Sequence, residues 1–379
     1  MFIPLSMRKT NPPVLTLSSW YPTGGVNGSV LCAVLSGSTL FIGGSFTQVA
    51  GVNRNNIAAI DVNTGALLSW YPSGGASSQV TSMVLNGTSL FVSGAFTTIG
   101  GSTRSGIAAL NPSTGAVLSW YPTGGMNIPG NNTLRFLGGV LYVSGNFTTI
   151  GGSTRNRLAA LNPSTGAVLS WYPTGGSSVP FSDMVLIGSV LIICGQFTTI
   201  GGVARIGIAA VDASTAAVLS WYPTGGLQTP ASGNSYGSAL YVDTVNQRLI
   251  VTGPFGLAGG IVRNGLCAFD ASNLSSADVL SWYPTNGFGT GSPSHVLMNV
   301  GVLNESLIFS GVLNSYSDRP TNGLVLAQRS TGQLIATIEA VPTANIGFIV
   351  NGSSLIIFGS FSSINGQTRA NVAQFSVTS

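Results

Sequence analysis

Short apolar runs alternate with turn-forming residues along most of the chain. One unit shows the pattern. It begins Gln79-Val80-Thr81-Ser82-Met83-Val84-Leu85, turns at Asn86-Gly87-Thr88, and continues Ser89-Leu90-Phe91-Val92-Ser93-Gly94-Ala95-Phe96-Thr97-Thr98-Ile99. A loop, Gly100-Gly101-Ser102-Thr103-Arg104, leads to a third run ending at Leu110. The turn Asn111-Pro112-Ser113-Thr114-Gly115 follows, and Ala116-Val117-Leu118-Ser119-Trp120-Tyr121-Pro122 closes the unit. No segment holds a 3.6-residue period, so helices are not expected. Asn-Gly between two apolar runs signals a tight hairpin. In Asn-Pro-Ser-Thr-Gly, proline presets φ and glycine accepts positive φ, which makes a turn. The pattern predicts four short antiparallel strands per unit.

The unit recurs. Ser-Trp-Tyr-Pro places the chain's six tryptophans at Trp20, Trp70, Trp120, Trp171, Trp221 and Trp282. The phenylalanine of Phe-Thr-Thr-Ile-Gly-Gly recurs at Phe46, Phe96, Phe147, Phe197, Phe255 and Phe361, with a degenerate copy near Val312. The arginine behind it recurs at Arg54, Arg104, Arg155, Arg205, Arg263, Arg319 and Arg369. Both series count seven units. Four strands in roughly 40–50 residues is the signature of a propeller blade. The expectation is an all-β, closed seven-bladed β-propeller. Its blades cover roughly 26–72, 76–122, 126–173, 177–223, 227–284, 288–339 and 343–379. The final run, from Asn371 to Val377, reads as a third strand with no fourth behind it. Residues 14–22 read as a fourth strand with no blade ahead. The N-terminal strand is therefore expected to complete the last blade and remove its open edge. Residues 14–379 form one domain in this reading, behind an N-terminal arm, residues 1–13.

The repeat degrades between about residues 230 and 345. The fifth unit has a longer first hairpin, turning at Val245-Asn246-Gln247, and an insertion from Ser272 to Asp278. In the sixth, Ser315 to Asn322 stands where others have Gly-Gly, and Leu334-Ile335-Ala336-Thr337-Ile338 replaces the Trp-Tyr run.

Gly43-Gly44-Ser45-Phe46-Thr47, Gly151-Gly152-Ser153-Thr154-Arg155 and Leu158-Ala159-Ala160-Leu161-Asn162-Pro163-Ser164-Thr165-Gly166 resemble the delta-60 repeat propellers, found mainly in large bacterial surface and secreted proteins. The resemblance covers nearly the whole chain. It implies the fold and little about activity, since propellers host many functions.

Composition narrows the function classes. Charged residues are 6 % of 379, against roughly 25 % in an ordinary soluble domain. No apolar run approaches the ~18 residues of a membrane-spanning helix. Such a weakly charged surface suits a chain that lives in an assembly with other proteins. The net charge is +4, and the arginines are spread about one per unit rather than clustered in a stripe, which argues against a nucleic-acid partner. Cys32, Cys194 and Cys267 match neither a disulfide framework nor a metal spacing and are expected to pack as small apolar residues. Met1 to Pro13 holds Arg8 and Lys9 but no long apolar stretch, so it does not read as a secretory signal. Asn-x-Ser/Thr occurs at Asn27, Asn86, Asn131, Asn146, Asn273, Asn304 and Asn351, as a chain rich in these residues produces by chance.

No catalytic constellation emerges. Asp61, Asp212 and Asp270 occupy a turn position that Asn111 and Asn162 fill elsewhere, so the turn needs an acceptor rather than a charge. His295 is alone. Asp318 and Arg319 make a local pair in the irregular sector. Neither a metal nor an organic cofactor is implied, and the reading is not an enzyme.

The repeated aromatics and arginines admit two readings. As sites, Tyr21, Tyr71, Tyr121, Tyr172, Tyr222 and Tyr283 with Arg54, Arg104, Arg155, Arg205, Arg263, Arg319 and Arg369 would form a ring of similar pockets, as in lectins that stack sugars. As structure, they pack one blade on the next. Period-2 alternation puts Trp120 and Leu118 on one side of the strand and Val117, Ser119 and Tyr121 on the other. The tryptophan is then expected against the tyrosine side of the neighbouring blade, and the arginine is expected to cap loop carbonyls or stack on an aromatic. The favoured expectation is a non-catalytic structural or interaction propeller in a larger assembly, extracellular or in a virion such as a phage tail, fibre or surface component. The alternative is a secreted or surface carbohydrate-binding propeller with cell-surface glycan as partner. Tyr316, Asp318 and Arg319 mark the candidate protein contact in the irregular sector.

Overall fold

A computed structural model describes residues 14–228, 236–284, 296–312, 315–316, 319–320, 323–338, 346–364 and 366–378. The N-terminal arm, Asp318 and His295 lie outside the described residues. The described chain is all β, without helix.

Seven antiparallel sheets follow one another along the sequence. The first holds Ser29–Ser36, Thr39–Ser45 and Ile57–Asp61. The second holds Val80–Leu85, Leu90–Gly94 and Ile107–Leu110, and the third Thr133–Leu137, Val140–Ser144 and Leu158–Leu161. The fourth and fifth repeat the scheme with Phe181–Ile187, Val190–Gly195 and Ile208–Asp212, then Ala239–Asp243, Arg248–Thr252 and Leu266–Asp270. The sixth adds a fourth strand, Leu334–Ile338, to Val296–Leu303, Ser306–Val312 and Leu324–Gln328. In the seventh, Gly347–Asn351, Ser354–Phe358 and Val372–Thr378 are joined by Val14–Leu17 from the other end of the chain, with Leu15 opposite Val377.

In the second to fifth units the second strand leads into a short hairpin around a Gly-Gly turn, such as Thr98–Ile99 with Ser102–Thr103. The residue after each Tyr-Pro-Thr-Gly-Gly or its variant from Tyr21 to Tyr222 then bridges to the next hairpin, as Met126 does to Ile150. This places the Arg-bearing loops and the inter-sheet links on one face, as the strand order predicts.

The regular units correct the four-strand expectation. In the first to fourth sheets the Trp-Tyr run makes a single bridge, Ile60 to Leu67, Leu110 to Val117, Leu161 to Val168 and Val211 to Val218, instead of a strand. One further backbone bond, from Leu118 N–H to the Ala109 carbonyl at 2.9 Å, holds it. Beyond that point the segment peels away. Its tryptophan reaches forward to the next sheet, and its proline donates no backbone hydrogen bond.

Between consecutive sheets lies an apolar cluster. One joins Phe41, Ile57, Ala59 and Trp70 of the first unit to Val80, Leu90, Val92 and Phe96 of the second. Equivalent clusters follow through the sixth and seventh sheets. A further one brings Ile356, Phe358 and Val372 of the seventh sheet against Trp20, Val30, Leu40 and Ile42. Both faces of each sheet are thus covered, which is why third strands such as Ile107-Ala108-Ala109-Leu110 are apolar at every position and buried throughout.

Candidate functional site

Every regular Trp-Tyr run is consumed by the same set of contacts. The tryptophan donates its indole N–H to the turn carbonyl of the following sheet. Trp70 binds the Asn111 carbonyl at 3.0 Å, Trp120 that of Asn162 at 3.0 Å, Trp171 that of Asp212 at 3.0 Å, and Trp20 that of Asp61 at 3.1 Å. Trp221 meets the Ser276 carbonyl at 2.8 Å, so the Ser272 to Asp278 insertion supplies the acceptor there. Trp70, Trp120 and Trp171 also pack edge-on against their own sheets, with Phe91 and Trp120 centroids 4.8 Å apart, while Trp221 meets Phe269 of the next.

The tyrosine does not lie opposite the tryptophan. Tyr121 packs with Trp120 and Leu118 in the cluster facing the third sheet, whereas Val117 packs in the cluster behind. Alternation holds while the segment is paired and fails once it peels off. Instead Tyr121 turns its hydroxyl to its own unit's loop, accepting the Ser105 backbone N–H at 2.9 Å. Tyr21, Tyr71, Tyr172, Tyr222 and Tyr283 accept from Ala370, Asn55, Asn156, Ile206 and Asn264 in the same way.

The arginine covers that ring. The guanidinium carbon of Arg104 stands 4.8 Å from the Tyr121 centroid, and Arg54, Arg155, Arg205, Arg263 and Arg369 stack on Tyr71, Tyr172, Tyr222, Tyr283 and Tyr21. The terminal nitrogens are also spent. Arg104 donates to the Thr103 carbonyl at 2.9 Å and to the Leu118 carbonyl at 3.0 Å. Its Nε is buried. The second glycine closes the corner. Gly125 has φ +63°, and a Cβ there would strike the Tyr121 hydroxyl and the Ser105 carbonyl. Cation–π stacking and two carbonyl bonds thus make each of these six arginines an internal brace. Tyr316 and Arg319 lie in the strand pair Ser315–Tyr316 and Arg319–Pro320, and Asp318 is outside the described residues.

Two ion-pair networks escape the repeat, and the sequence reading passed over both. Asp243 is fully buried and accepts from Arg329 Nε at 2.9 Å and Nη2 at 2.6 Å, and from Arg248 Nη2 at 3.0 Å. Burial by itself raises this carboxyl's pKa. Hydrogen bonds from Arg329, Asn246 and Arg248 outweigh it and hold the group below its ordinary value. Arg248 also stacks 4.7 Å from the Trp282 ring. The second pair is Arg135 and Asp183, at 2.7 Å on inner strands of the third and fourth sheets. By contrast the Asp61 carboxyl lies below its usual range because Thr64 donates its backbone N–H and hydroxyl and Asn63 its backbone N–H, a local turn effect. Cys194 and Cys267 are buried free thiols whose pKa burial pushes up. Among the described residues no three His, Cys, Asp or Glu side chains gather as metal ligands would.

The inner strands surround a cavity of about 310 Å³. Residues of the first, second, third, fourth, sixth and seventh sheets line it, among them Leu31, Cys32, Thr81, Thr133, Arg135, Ser182, Asn299 and Phe358. Side chains here tie one inner strand to the next. The Ser82 hydroxyl accepts the Leu134 N–H at 3.0 Å, Asp183 Oδ2 accepts the Leu240 N–H at 2.9 Å, and Asn299 donates to the Ile346 carbonyl at 3.4 Å. No motif signals this site, because its residues come from separate units and differ in each.

A family profile described as "Domain of unknown function (DUF5122) beta-propeller" matches residues 139–168. No curated protein matches the chain. Among solved structures, the WD40 beta propeller domain of Doa1 aligns with TM-score 0.55 at 13 % identity, covering 96 % of this chain and 97 % of that one. The computationally designed Ika8 protein aligns with TM-score 0.52 at 10 % identity over 95 % and 99 %. The extracellular domain of the putative one component system BT4673 from B. thetaiotaomicron aligns with TM-score 0.59 at 10 % identity; the match covers 95 % of this chain and 39 % of that one. At these identities the likeness is one of fold, and the fold is a β-propeller.

Proposed function

We propose that the seven sheets close into one ring, with Val14–Leu17 completing the last blade, and that this ring is a non-catalytic interaction module of a larger assembly. The apolar cluster between the seventh and first sheets supports closure. The Gly-Gly-Ser-Thr-Arg and Asn-Pro-Ser-Thr-Gly runs support a propeller of the delta-60 repeat type. The observation that carries the functional reading is the fate of the repeated residues. Six candidate arginines, Arg54, Arg104, Arg155, Arg205, Arg263 and Arg369, stack on a Tyr and donate to backbone carbonyls, so the motif builds the body of the protein. That leaves the loop faces and the weakly charged surface, 6 % charged residues in all, for partner proteins. An extracellular or virion assembly, such as a tail, fibre or surface structure, fits this surface. The lectin-like alternative on repeated aromatic faces loses support where an arginine already covers each tyrosine ring.

Sedimentation from the native source tests the reading. The chain should travel with large particles and stay with them through moderate salt, since few of its contacts can be ionic. A chain that sediments as a free monomer under native conditions would refute it.

A further inference from the structure

We propose that the axial cavity binds one neutral, hydroxyl-rich small molecule of the monosaccharide class. Three observations carry this, and none depends on the assembly reading above.

The first is where the repeat breaks. In each sheet one inner-strand residue faces the second-strand residue that precedes a glycine. These positions are Cys32, Ser82, Thr133, Asp183, Ala239, Asn299 and Gly347. Seven units carry seven different residue types at this level, although the outer Trp, Tyr and Arg recur almost unchanged. Packing alone is met by repeating one residue, as the outer positions do. Five of them, Cys32, Ser82, Thr133, Asn299 and Gly347, line the cavity, and a wall of unlike residues suits one asymmetric occupant.

The second is unused hydrogen-bonding capacity. Thr133 and Ser182 line the cavity, and neither hydroxyl has a protein partner among the described residues. Arg135 keeps 37 % of its side chain exposed. Asp183 takes its Nε and Nη2 at 2.7 Å, and the Leu134 carbonyl takes one Nη1 donor at 2.9 Å. Of five guanidinium donors, two remain for an occupant.

The third is charge. Asp183 matches the Arg135 charge and is itself filled by the Met184 N–H at 2.7 Å and the Leu240 N–H at 2.9 Å. The wall is therefore neutral, and an ion entering it would lose hydration without gaining a counter-charge. Leu31, Met83 and Phe358 add apolar surface beside the hydroxyls. Hydroxyls, a guanidinium edge and apolar patches together match the two-sided chemistry of a sugar ring. A volume of about 310 Å³ lies at the small end of ligand pockets, the size for one ring rather than a chain.

Titration calorimetry on the full chain tests this, with glucose, galactose, mannose and N-acetylglucosamine as probes and gluconate and glucosamine as charged controls. At least one neutral sugar should bind with a roughly millimolar Kd and one site per chain. Thr133→Val and Ser182→Ala should each weaken it about fivefold at unchanged melting temperature, and Thr133→Ser should bind as the native chain does. The immobilised glycan bearing the same terminal sugar separates the sources. Capture of the glycan points to a glycan terminus and its failure to a diffusible sugar, and either sustains the site. The proposal falls if no neutral sugar binds, if only a charged analogue binds, if Thr133→Ser weakens binding as much as Thr133→Val, or if both hydroxyl deletions leave Kd unchanged. It falls equally if six sites per chain titrate, since that stoichiometry places the ligand on the Arg–Tyr corners.

Discussion

At the residue scale, a buried indole and a buried carboxylate illustrate two kinds of holding force. Trp120 is 6 % exposed, sits edge-on to Phe91 and donates to the Asn162 carbonyl of the next sheet. Trp120→Ala removes the ring and leaves that acceptor with only the Gly166 N–H. It should cost about 3–5 kcal/mol of stability, read as a lower urea midpoint, with partner binding nearly unchanged. Loss of binding at unchanged stability would make the residue a contact instead. Asp243 acts differently. Its folded pKa is depressed, so its contribution is complete above the unfolded value near 3.9 and drains as pH falls through the lower folded value. Asp243→Asn should cost about 3–5 kcal/mol at pH 7, because two arginines lose their shared counter-charge. The difference should be smaller at pH 3, below the ordinary carboxylate value, where protonation of this carboxyl favours the unfolded chain. Urea unfolding of both chains at the two pH values measures this. An equal gap at both would remove the electrostatic account.

At the element scale, the fourth segment is the informative one. Where it carries Trp-Tyr it leaves the sheet after one bridge, and where it carries Leu334–Ile338 or Val14–Leu17 it pairs as a strand. The indole and phenol draw the segment out of the ladder beyond its pairing, since each is held by a group outside it. Residues 14–22 combine both behaviours. Val14–Leu17 pairs with the last strand, the Ser18 N–H binds the Gln374 carbonyl at 2.9 Å, and Trp20 reaches the Asp61 carbonyl. Deleting residues 1–22 strips Val372–Thr378 of its neighbour and uncovers an edge. The truncated chain should melt lower and self-associate, which light scattering during a thermal ramp records; a monomer of native stability would contradict closure. Runs, turns and repeat length were all legible in the sequence, down to the turn at Val245-Asn246-Gln247. The departure of Trp-Tyr from the ladder was not, because alternation assumes a paired strand, and only contacts with other segments decide whether pairing continues.

At the scale of the whole molecule, regular and irregular sectors play separate parts. The regular units repeat the same braces. The sector from about 230 to 345 carries the insertion before Trp282 and the Asp243–Arg248–Arg329 network instead. We expect this sector to make the main protein contact. Hydrogen exchange on the assembled and free protein should show new protection there; protection confined to the regular blades would reverse the assignment. The sequence by itself determined the β class, the repeating unit and the turn chemistry, because these depend on local propensity and on spacing along one strand. The tertiary structure alone decided that the arginines brace the tyrosines, that Asp243 and Asp183 are partnered, and that five unlike residues of one level line a cavity. Those contacts join residues from about 14 to more than 80 positions apart in sequence, and no local pattern encodes which of them will face each other.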